Sequence, residues 1–346
     1  MIDGKFGFGI VGCGLISDFH GNAVTAAEEG QVVAATDLDK ERLVDFCARF
    51  ECDQAEGFEA MLHDDRIDVI NVCTPNAMHA MFAVPAMQAS KHVIVEKPPE
   101  MALEKCDQMI AARDGNNVKC AISLQVRFRK PIEAIKQAIE EGRFGKLLQG
   151  DAYMKWYRST EYYLSDDWRS KRDQGAGVTI QHAFHYIDLL HHLLGPCAAV
   201  HAEMTNLAHP QVELEDTLDA FLKFQSGAKG TVQASTALWP GTDIRIEVNG
   251  EDGTAIMLGE TITTWQFKQE RPGDEQMTQI GDRSQTTAAA GAADFAFTEH
   301  KYMVEDMIEA IKTDGSPRVS LESARHSLQI ALAMYESADA GAPVAL

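Results

Sequence analysis

The chain has 346 residues, 45% of them hydrophobic and 24% charged, which is ordinary for a globular protein and sufficient for two domains. No run of eighteen apolar residues and no signal-peptide stretch is present, so we expect no membrane span and a cytoplasmic protein. The net charge of -21 argues against nucleic acid or an anionic membrane as a partner. The seven cysteines are dispersed, which favours reduced thiols over disulfides or a zinc ribbon.

The first 123 residues alternate short apolar runs with helical patterns. Amphipathic stretches at 40–50 and 80–90 predict helices. Between such stretches, runs rich in Val and Ile predict buried strands at 5–11, 31–36, 68–73, 92–95 and 118–123. This alternation is typical of the α/β class with a doubly wound parallel sheet. We therefore predict a dinucleotide-binding domain over residues 1–123.

From residue 124 the pattern changes. A helix at 131–142 begins with a proline and ends at a glycine, as helices commonly do. Strands joined by turn sequences then predict a mostly antiparallel sheet, with strands at 147–157, 218–227, 228–236, 244–258 and 261–267. A polar stretch at 268–297 is interpreted as a long loop, and two helices follow at 302–312 and 321–338. The sequence predicts a second, α+β domain over residues 124–346.

The sequence GIVGCGLIS follows the first predicted strand and precedes a helical pattern. Two of its glycines, with a serine in the third place, match G-x-G-x-x-G, whose turn brings the backbone close to a pyrophosphate. An aspartate ends the second strand, where a carboxylate binds the ribose hydroxyls of NAD and repels the 2′-phosphate of NADP. The predicted NAD-binding residues here are Gly12, Gly14, Leu15, Ile16 and Asp37.

Two polar segments, CTPNAMHA (73–80) and VEKPPE (95–100), follow the third and fourth predicted strands. Both lie at the sheet edge where open α/β sheets bind ligands. Lys97 precedes two prolines that restrict the backbone. An isolated lysine is usually surface charge, but at this edge, beside a nicotinamide, Lys97 is a candidate for proton transfer.

A locally basic stretch runs from 127 to 172, with eleven Lys or Arg against seven Asp or Glu. In an acidic chain it indicates an anionic small ligand, and a surface of salt bridges explains it equally well. Arginine suits a carboxylate or a diphosphate because its planar guanidinium binds two oxygens at once. The candidates to hold such a group are Arg158, Tyr163, Trp168 and Arg169, with Tyr157; for the aromatics, packing is the alternative.

The segment GAGVTIQHAFHYIDLLHH (175–192) contains four histidines and an aspartate at helical spacing. Metal ligation is geometrically possible, but hydride transfer to the predicted NAD needs no metal, and we expect none. His191 and His192 are interpreted as packing or surface residues.

Together, the glycine motif, Asp37, TPN (74–76), EKP (96–98) and GAGVTIQHAFHYID (175–188) resemble the Gfo/Idh/MocA family of oxidoreductases over essentially the whole chain. The resemblance implies a Rossmann domain followed by an open-sheet domain, NAD as cofactor, a sugar or polyol substrate, and a homodimer or homotetramer. It makes Lys97 and His185 the acid/base pair. The implied cofactor contacts at the strand ends are Thr74, Pro75, Asn76, His79, Glu96 and Lys97.

One position departs from the family pattern. Many members have an aspartate four residues before the catalytic histidine, where this chain has Gln181. With KWYRSTEYY and DWRS within 155–170, this amide is similar to the subgroup that acts on nucleotide-linked amino-sugar uronates. The implied substrate contacts are Lys97, Arg127, Arg158, Tyr163, Trp168, Arg169, Gln181, His182 and His185.

The reaction that the resemblance implies is hydride transfer between a ring secondary alcohol and the nicotinamide. Two alternatives stay open: an NAD-dependent glycosidase of the same fold that uses transient oxidation, and a non-catalytic NAD-sensing module. The presence of both Lys97 and His185 favours the dehydrogenase.

Overall fold

The computed structural model describes residues 4–165, 167–175, 177–281 and 296–346. The described residues form two compact units, one drawn from Met1–Gln125 and Ala296–Arg325 and the other from Val126–Phe295 and His326–Leu346. The sequence predicted a single division after residue 123. It did not predict the return of residues 296–325 to the first unit, because an amphipathic pattern does not say which core a helix joins. Of the polar loop predicted at 268–297, residues 282–295 lie outside the described residues.

The strands of the described residues are β1 Phe6–Val11, β2 Gly30–Thr36, β3 Asp53–Gln54, β4 Val69–Val72, β5 His92–Val95, β6 Cys120–Ile122, β7 Leu147–Lys155, β8 Cys197–Thr205, β9 Thr217–Phe224, β10 Lys229–Ser235, β11 Arg245–Gly250, β12 Gly253–Leu258, β13 Thr261–Phe267 and β14 Val344–Ala345. The α-helices are α1 Leu15–Ala26, α2 Lys40–Phe50, α3 Phe58–Leu62, α4 His79–Gln88, α5 Leu103–Asn116, α6 Lys130–Glu140, α7 Thr160–Leu164, α8 Phe184–Leu194, α9 Thr298–Lys312 and α10 Leu321–Ala340. A π-helix, Val178–His182, precedes α8.

The first unit contains a six-stranded parallel sheet in the order β3-β2-β1-β4-β5-β6. Every residue of β1 and of β4 is buried, which is why these strands show as unbroken apolar runs in the sequence. The strand order reverses between β1 and β4, and open α/β sheets bind ligands at that point. The predicted doubly wound fold is confirmed.

The second unit contains an eight-stranded sheet in the order β13-β12-β11-β7-β10-β9-β8-β14. β7 and β10 run parallel and the other neighbours are antiparallel. In β9, buried and exposed residues alternate, so one face of the sheet packs on the core and the other is open in the single chain. The segment 244–258 contains the predicted turn sequence NGEDG and forms two strands, β11 and β12, on either side of it. β8 was not predicted.

Helix α8 packs against β7 at a point without a side chain. A Cβ on Gly150 would lie 2.5 Å from Leu194 Cδ1, so the glycine permits the close approach of helix and strand.

All seven cysteines are free, and only Cys52 among them is not buried. Among the described helices, none is long and apolar enough to cross a membrane.

Candidate active site

The glycine loop connects the buried strand β1 to helix α1. Gly12 has a φ of +91°, and a Cβ there would lie 2.7 Å from the carbonyl oxygen of Cys73, so this turn requires glycine. Gly14 is the residue before α1, and a Cβ there would meet no atom within 4 Å. The amide end of α1 therefore borders open space, which fits a diphosphate. Ser17 is fully buried, and its Oγ donates to the Gly14 carbonyl at 2.5 Å.

Asp37 lies at the end of β2, beside this loop. Its Oδ2 accepts a hydrogen bond from the backbone N–H of Cys13 at 2.5 Å, and Oδ1 accepts from Asp39 N–H at 2.7 Å. The carboxylate is half-buried. The loop and the acid are thus held together, which is the arrangement needed for a diphosphate and a ribose to bind side by side. Of the other two predicted cofactor residues, Leu15 is exposed and Ile16 packs against the core beside β1.

The segment after β4 is held by a buried histidine. Its residues Thr74 and Pro75 are half-buried and Asn76 is buried. The ring of His79 lies between two backbone carbonyls, with Nδ1 2.7 Å from Pro98 O and Nε2 3.0 Å from Thr74 O. Burial lowers the pKa of this imidazole. We infer that His79 ties the segment after β4 to the segment after β5, and its predicted contact with the cofactor stays a prediction.

Glu96 is buried next to Lys97 and is held by a second histidine. Its Oε1 lies 2.9 Å from His20 Nε2, and its Oε2 accepts the backbone N–H of Lys97 at 3.1 Å. Burial alone would raise the pKa of Glu96, but the hydrogen bond from His20 holds it well below its usual range. The predicted contact of this carboxylate with the cofactor stays a prediction, since the contacts shown are with the protein.

His300 joins His20 and Glu96 in a buried cluster whose ligand-type atoms lie within 4.8 Å of one another. The amide nitrogen of Asn71 lies 3.0 Å from His20 Nδ1. Because an amide nitrogen only donates, Nδ1 accepts, and Nε2 carries the proton that bonds Glu96. Asn71, His20 and Glu96 therefore form a hydrogen-bonded chain, and the His300 ring lies 5.5 Å from the His20 ring.

Lys97 differs from its neighbours in exposure. From Val93 to Glu100 it is the only residue that is not buried. The residues before and after it are fixed, Glu96 by His20 and Pro98 by His79. A lysine on a fixed backbone with an open side chain suits a proton-transfer role, because its ammonium can reach a bound ligand.

In the second unit, Gln181 and His185 likewise differ from their neighbours in exposure. They are the only residues between Gly177 and Leu190 that are not buried. Gln181 belongs to the π-helix, whose five-residue spacing appears in the hydrogen bond from Ala183 N–H to Val178 O at 2.8 Å. π-Helices of a single turn occur frequently at functional sites. His182 is buried, with its ring 6.0 Å from that of Trp156 and 5.6 Å from that of Tyr162.

Arg127, a predicted substrate contact, is buried in an ion pair with Asp188 of α8. Its Nε donates to Oδ2 at 2.8 Å and its Nη2 to Oδ1 at 2.5 Å. Ser327 Oγ donates to the same Oδ1 at 2.6 Å. We infer that Arg127 anchors the helix that carries His185; a contact with substrate finds no support in this geometry.

Arginine and aromatic side chains form a cluster beside His182, which we call the Arg–aromatic cluster; its members are Trp156, Arg158, Tyr162, Trp168 and Arg169. The Arg158 guanidinium lies 5.1 Å from the Trp156 ring and 5.6 Å from the Tyr162 ring. Arg169 lies 4.9 Å from the Tyr162 ring and 4.6 Å from the Trp168 ring, and its Nη1 donates to the Tyr162 hydroxyl at 2.9 Å. Two guanidinium groups are thus brought together on aromatic faces.

Tyr163 is a correction to the predicted site. It is 1% exposed, its hydroxyl lies 2.5 Å from Thr236 Oγ1, and its ring packs on Val212 and Leu214. Burial raises the pKa of this phenol. Its neighbour Tyr162, and not Tyr163, belongs to the Arg–aromatic cluster. The sequence pair Tyr-Tyr indicated the position, but only the rotation of the short helix α7 decides which of the two is buried.

Part of the basic stretch is explained by ion pairs. Four of its arginines bind carboxylates from outside the stretch: Arg127–Asp188, Arg129–Glu260, Arg143–Asp274 and Arg172–Asp339. The local excess of positive charge is therefore largely compensated in the folded chain. Within the described part of this stretch, the Arg–aromatic cluster has the arrangement expected of an anion site.

Comparison with known proteins agrees with this division into two units. The model of the oxidoreductase family with an NAD-binding Rossmann fold, GFO_IDH_MocA, matches residues 6–124, and the model of the GFO/IDH/MocA C-terminal domain matches residues 132–256.

The chain belongs to the Gfo/Idh/MocA family.

Solved members of the family superimpose along the whole chain. The WlbA dehydrogenase of Chromobacterium violaceum, in complex with NADH and UDP-GlcNAcA, has a TM-score of 0.89 and 27% identity, over 100% of this chain and 97% of that one. The WlbA dehydrogenase of Bordetella pertussis with the same ligands has a TM-score of 0.87 and 29% identity, over 99% of both chains. The myo-inositol 2-dehydrogenase of Thermotoga maritima is 24% identical over 340 residues, 95% of each protein. This chain is accordingly an NAD-dependent oxidoreductase of the Gfo/Idh/MocA family.

Sequence reasoning missed several residues of the site region. His20, Asn71 and His300 surround Glu96, but each belongs to a helix or strand whose pattern shows only burial. Tyr162 and Trp156 belong to the Arg–aromatic cluster, and the sequence signal for both was the run KWYRSTEYY. The signal for the Glu96 partners was weaker: polar residues at positions where an apolar residue is expected.

Proposed function

We propose that this Gfo/Idh/MocA member oxidises a secondary ring alcohol of a nucleotide-linked uronate. The observation that carries the substrate class is the Arg–aromatic cluster, in which Arg158 and Arg169 stand on aromatic faces next to His182. A guanidinium binds carboxylate or diphosphate oxygens in pairs, and an aromatic face accepts a planar base or the apolar face of a sugar. Neutral cyclitols and free sugars have no group that would use both arginines. The likeness to the two WlbA dehydrogenases supports the same class.

Three residues of the chain have proposed roles at the reacting sugar ring. Lys97 or His185 removes the proton of the reacting hydroxyl, a contribution of about 10²–10⁴-fold in rate. Gln181 donates or accepts a hydrogen bond at a ring hydroxyl but does not take up a proton, because a carboxamide is not a base. NAD⁺, bound at the glycine loop and Asp37, supplies the hydride acceptor.

The test is a substrate screen that follows NADH absorbance. UDP-linked uronates are compared with myo-inositol and glucose, and we expect turnover only with the UDP-uronates. A preference for the neutral rings would overturn the substrate class. Release of free sugar without net NADH would instead favour the glycosidase alternative, and tight NAD binding without any turnover would favour the sensing module.

The role of Lys97 is tested in the same assay. Lys97→Met should lower kcat by about 10²-fold or more while NAD binding is retained. Lys312→Met is the matched control, since Lys312 pairs with Glu29 on the surface of the same unit. Turnover near wild type in Lys97→Met would remove Lys97 from the mechanism.

We also propose that the chain assembles as a homodimer or homotetramer through the open face of its second sheet. Phe221, at 65% exposed, lies on this face between the charged residues Asp219 and Lys223 of β9. An aromatic ring at the middle of a flat strand surface is an expected feature of an interface centre.

A further inference from the structure

The buried carboxylate of Glu215 lies under the start of the π-helix. Its Oε1 accepts the backbone N–H of Thr179 at 3.0 Å and the hydroxyl of Tyr335 at 2.6 Å. The main-chain oxygen of Glu215 accepts the N–H of Val178 at 3.0 Å. One residue therefore binds both of the first two amide groups of the π-helix, and Tyr335 of α10 fixes its side chain.

Gly177 shows how closely Glu215 approaches. A Cβ on Gly177 would overlap the carboxylate of Glu215, so the position admits no side chain. The φ of Gly177 is −71°, which any residue adopts, and backbone freedom is therefore not the reason for glycine here. The glycine is needed for the space that the carboxylate occupies.

The position of the first turn decides which side chains are open. Each residue of a helix is rotated by about 100° from the one before, so a shift of one residue at Val178 would turn the whole face. In the observed register Gln181 and His185 are the only residues from Gly177 to Leu190 that are not buried. The five-residue hydrogen bond from Ala183 to Val178 belongs to this first turn, and the Glu215 carboxylate holds the turn through its bond to Thr179 N–H.

We propose that Glu215 is a positioning residue for the reaction: it holds the π-helix in the register that leaves Gln181 and His185 open to substrate. The part of His185 in proton transfer rests on the function proposed above. Glu215 acts through the backbone of Val178 and Thr179 and through Tyr335. It does not itself contact the reacting atoms.

The experiment compares Glu215→Ala and Glu215→Gln in the full-length enzyme. Glutamine keeps an Oε1 that can accept from Thr179 and Tyr335, whereas alanine removes the acceptor. We expect Glu215→Ala to lower kcat by about 10²-fold, the size of effect that follows a misplacement of about 1 Å. Glu215→Gln should stay within about threefold of wild type, and the Kd for NAD should be unchanged in both, since the glycine loop lies in the other unit.

A matched control separates positioning from loss of stability. Ile246→Ala opens a cavity in β11 of the same unit, where Ile246 is fully buried, and should lower Tm while kcat is retained. Wild-type kcat in folded Glu215→Ala, or an equal loss of kcat in Ile246→Ala, would overturn the proposal. If Glu215→Ala does not fold, Tyr335→Phe, which removes only the hydroxyl that fixes Oε1, should still lower kcat by about tenfold with KM little changed.

A second measurement does not depend on the proposed function. Amide hydrogen exchange of the peptide covering 178–187 should be at least about tenfold faster in Glu215→Ala and unchanged in Glu215→Gln. If wild type turns over no ring alcohol, the proposed function fails, and exchange alone decides whether Glu215 holds the register. Wild-type exchange in Glu215→Ala would overturn the positioning role in either case.

Discussion

Removal of the Asp188 carboxylate tests how the second unit holds the helix of His185. Asp188 accepts two hydrogen bonds from Arg127, at 2.8 and 2.5 Å, and one from Ser327 at 2.6 Å, and both charged side chains are buried. In Asp188→Ala the guanidinium stays buried without an opposite charge, which costs about 3–5 kcal/mol. Because 1 kcal/mol shifts Tm by about 2–4 °C in a unit of this size, we expect Tm to decrease by about 6–20 °C.

The assay is thermal unfolding followed by circular dichroism, with two further variants. Replacing both charges, in Arg127→Met with Asp188→Leu, removes the unpaired charge and should recover most of the lost stability. Lys268→Ala breaks an ion pair that is largely exposed, and should change the free energy of unfolding by less than about 1 kcal/mol. A decrease in Tm below 3 °C for Asp188→Ala, or a double variant no more stable than the single one, would refute the anchoring role of this pair.

Three further predictions concern the cofactor, pH and assembly. Asp37→Ser combined with Leu38→Arg, at a position that is 98% exposed, should shift kcat/KM from NAD towards NADP by about 10²-fold or more; an unchanged ratio would show that Asp37 does not face the ribose. Burial lowers the pKa of His300 to about 3. Between pH 6.5 and 3 the imidazole is therefore protonated in the unfolded chain but not in the folded one, and the folded state loses stability as pH falls. Urea unfolding should show a loss of about 2 kcal/mol between pH 7.5 and 5 that is absent in His300→Leu. Light scattering should find a dimer or tetramer in wild type and a monomer in Phe221→Asp, and a monomeric wild type contradicts the proposed interface.

The parts of the fold that the sequence predicted best are those buried on both sides. β1, β4 and β5 appear as apolar runs because their residues face helices on both sheet faces. β8 escaped prediction because its buried positions hold Cys, Val and Ala between polar residues, which is a weak alternation. The division of 244–258 into β11 and β12 falls at the sequence NGEDG, whose Asn, Gly and Asp residues favour a turn.

The prediction of site residues succeeded or failed according to where each residue's partner lies. Gly12, Gly14 and Asp37 form a local motif, so their spacing alone indicates the loop. Tyr162 and Tyr163 are adjacent, and the rotation of α7 against Thr236, more than seventy residues away in the sequence, decides between them. No spacing rule connects positions so far apart.

Burial separates the residues proposed to do the chemistry from those proposed to support it. Lys97 is open between the buried residues Glu96 and Pro98, and His185 is open within a helix whose neighbours are buried. The sequence marks Lys97 by its place after the fourth predicted strand, and the family resemblance marks both Lys97 and His185. It cannot mark Glu215, whose own contacts are all within the core and whose effect appears 30 residues earlier, at His185. The role of Glu215 becomes apparent only in the structure, where its carboxylate occupies the space that a Cβ on Gly177 would need.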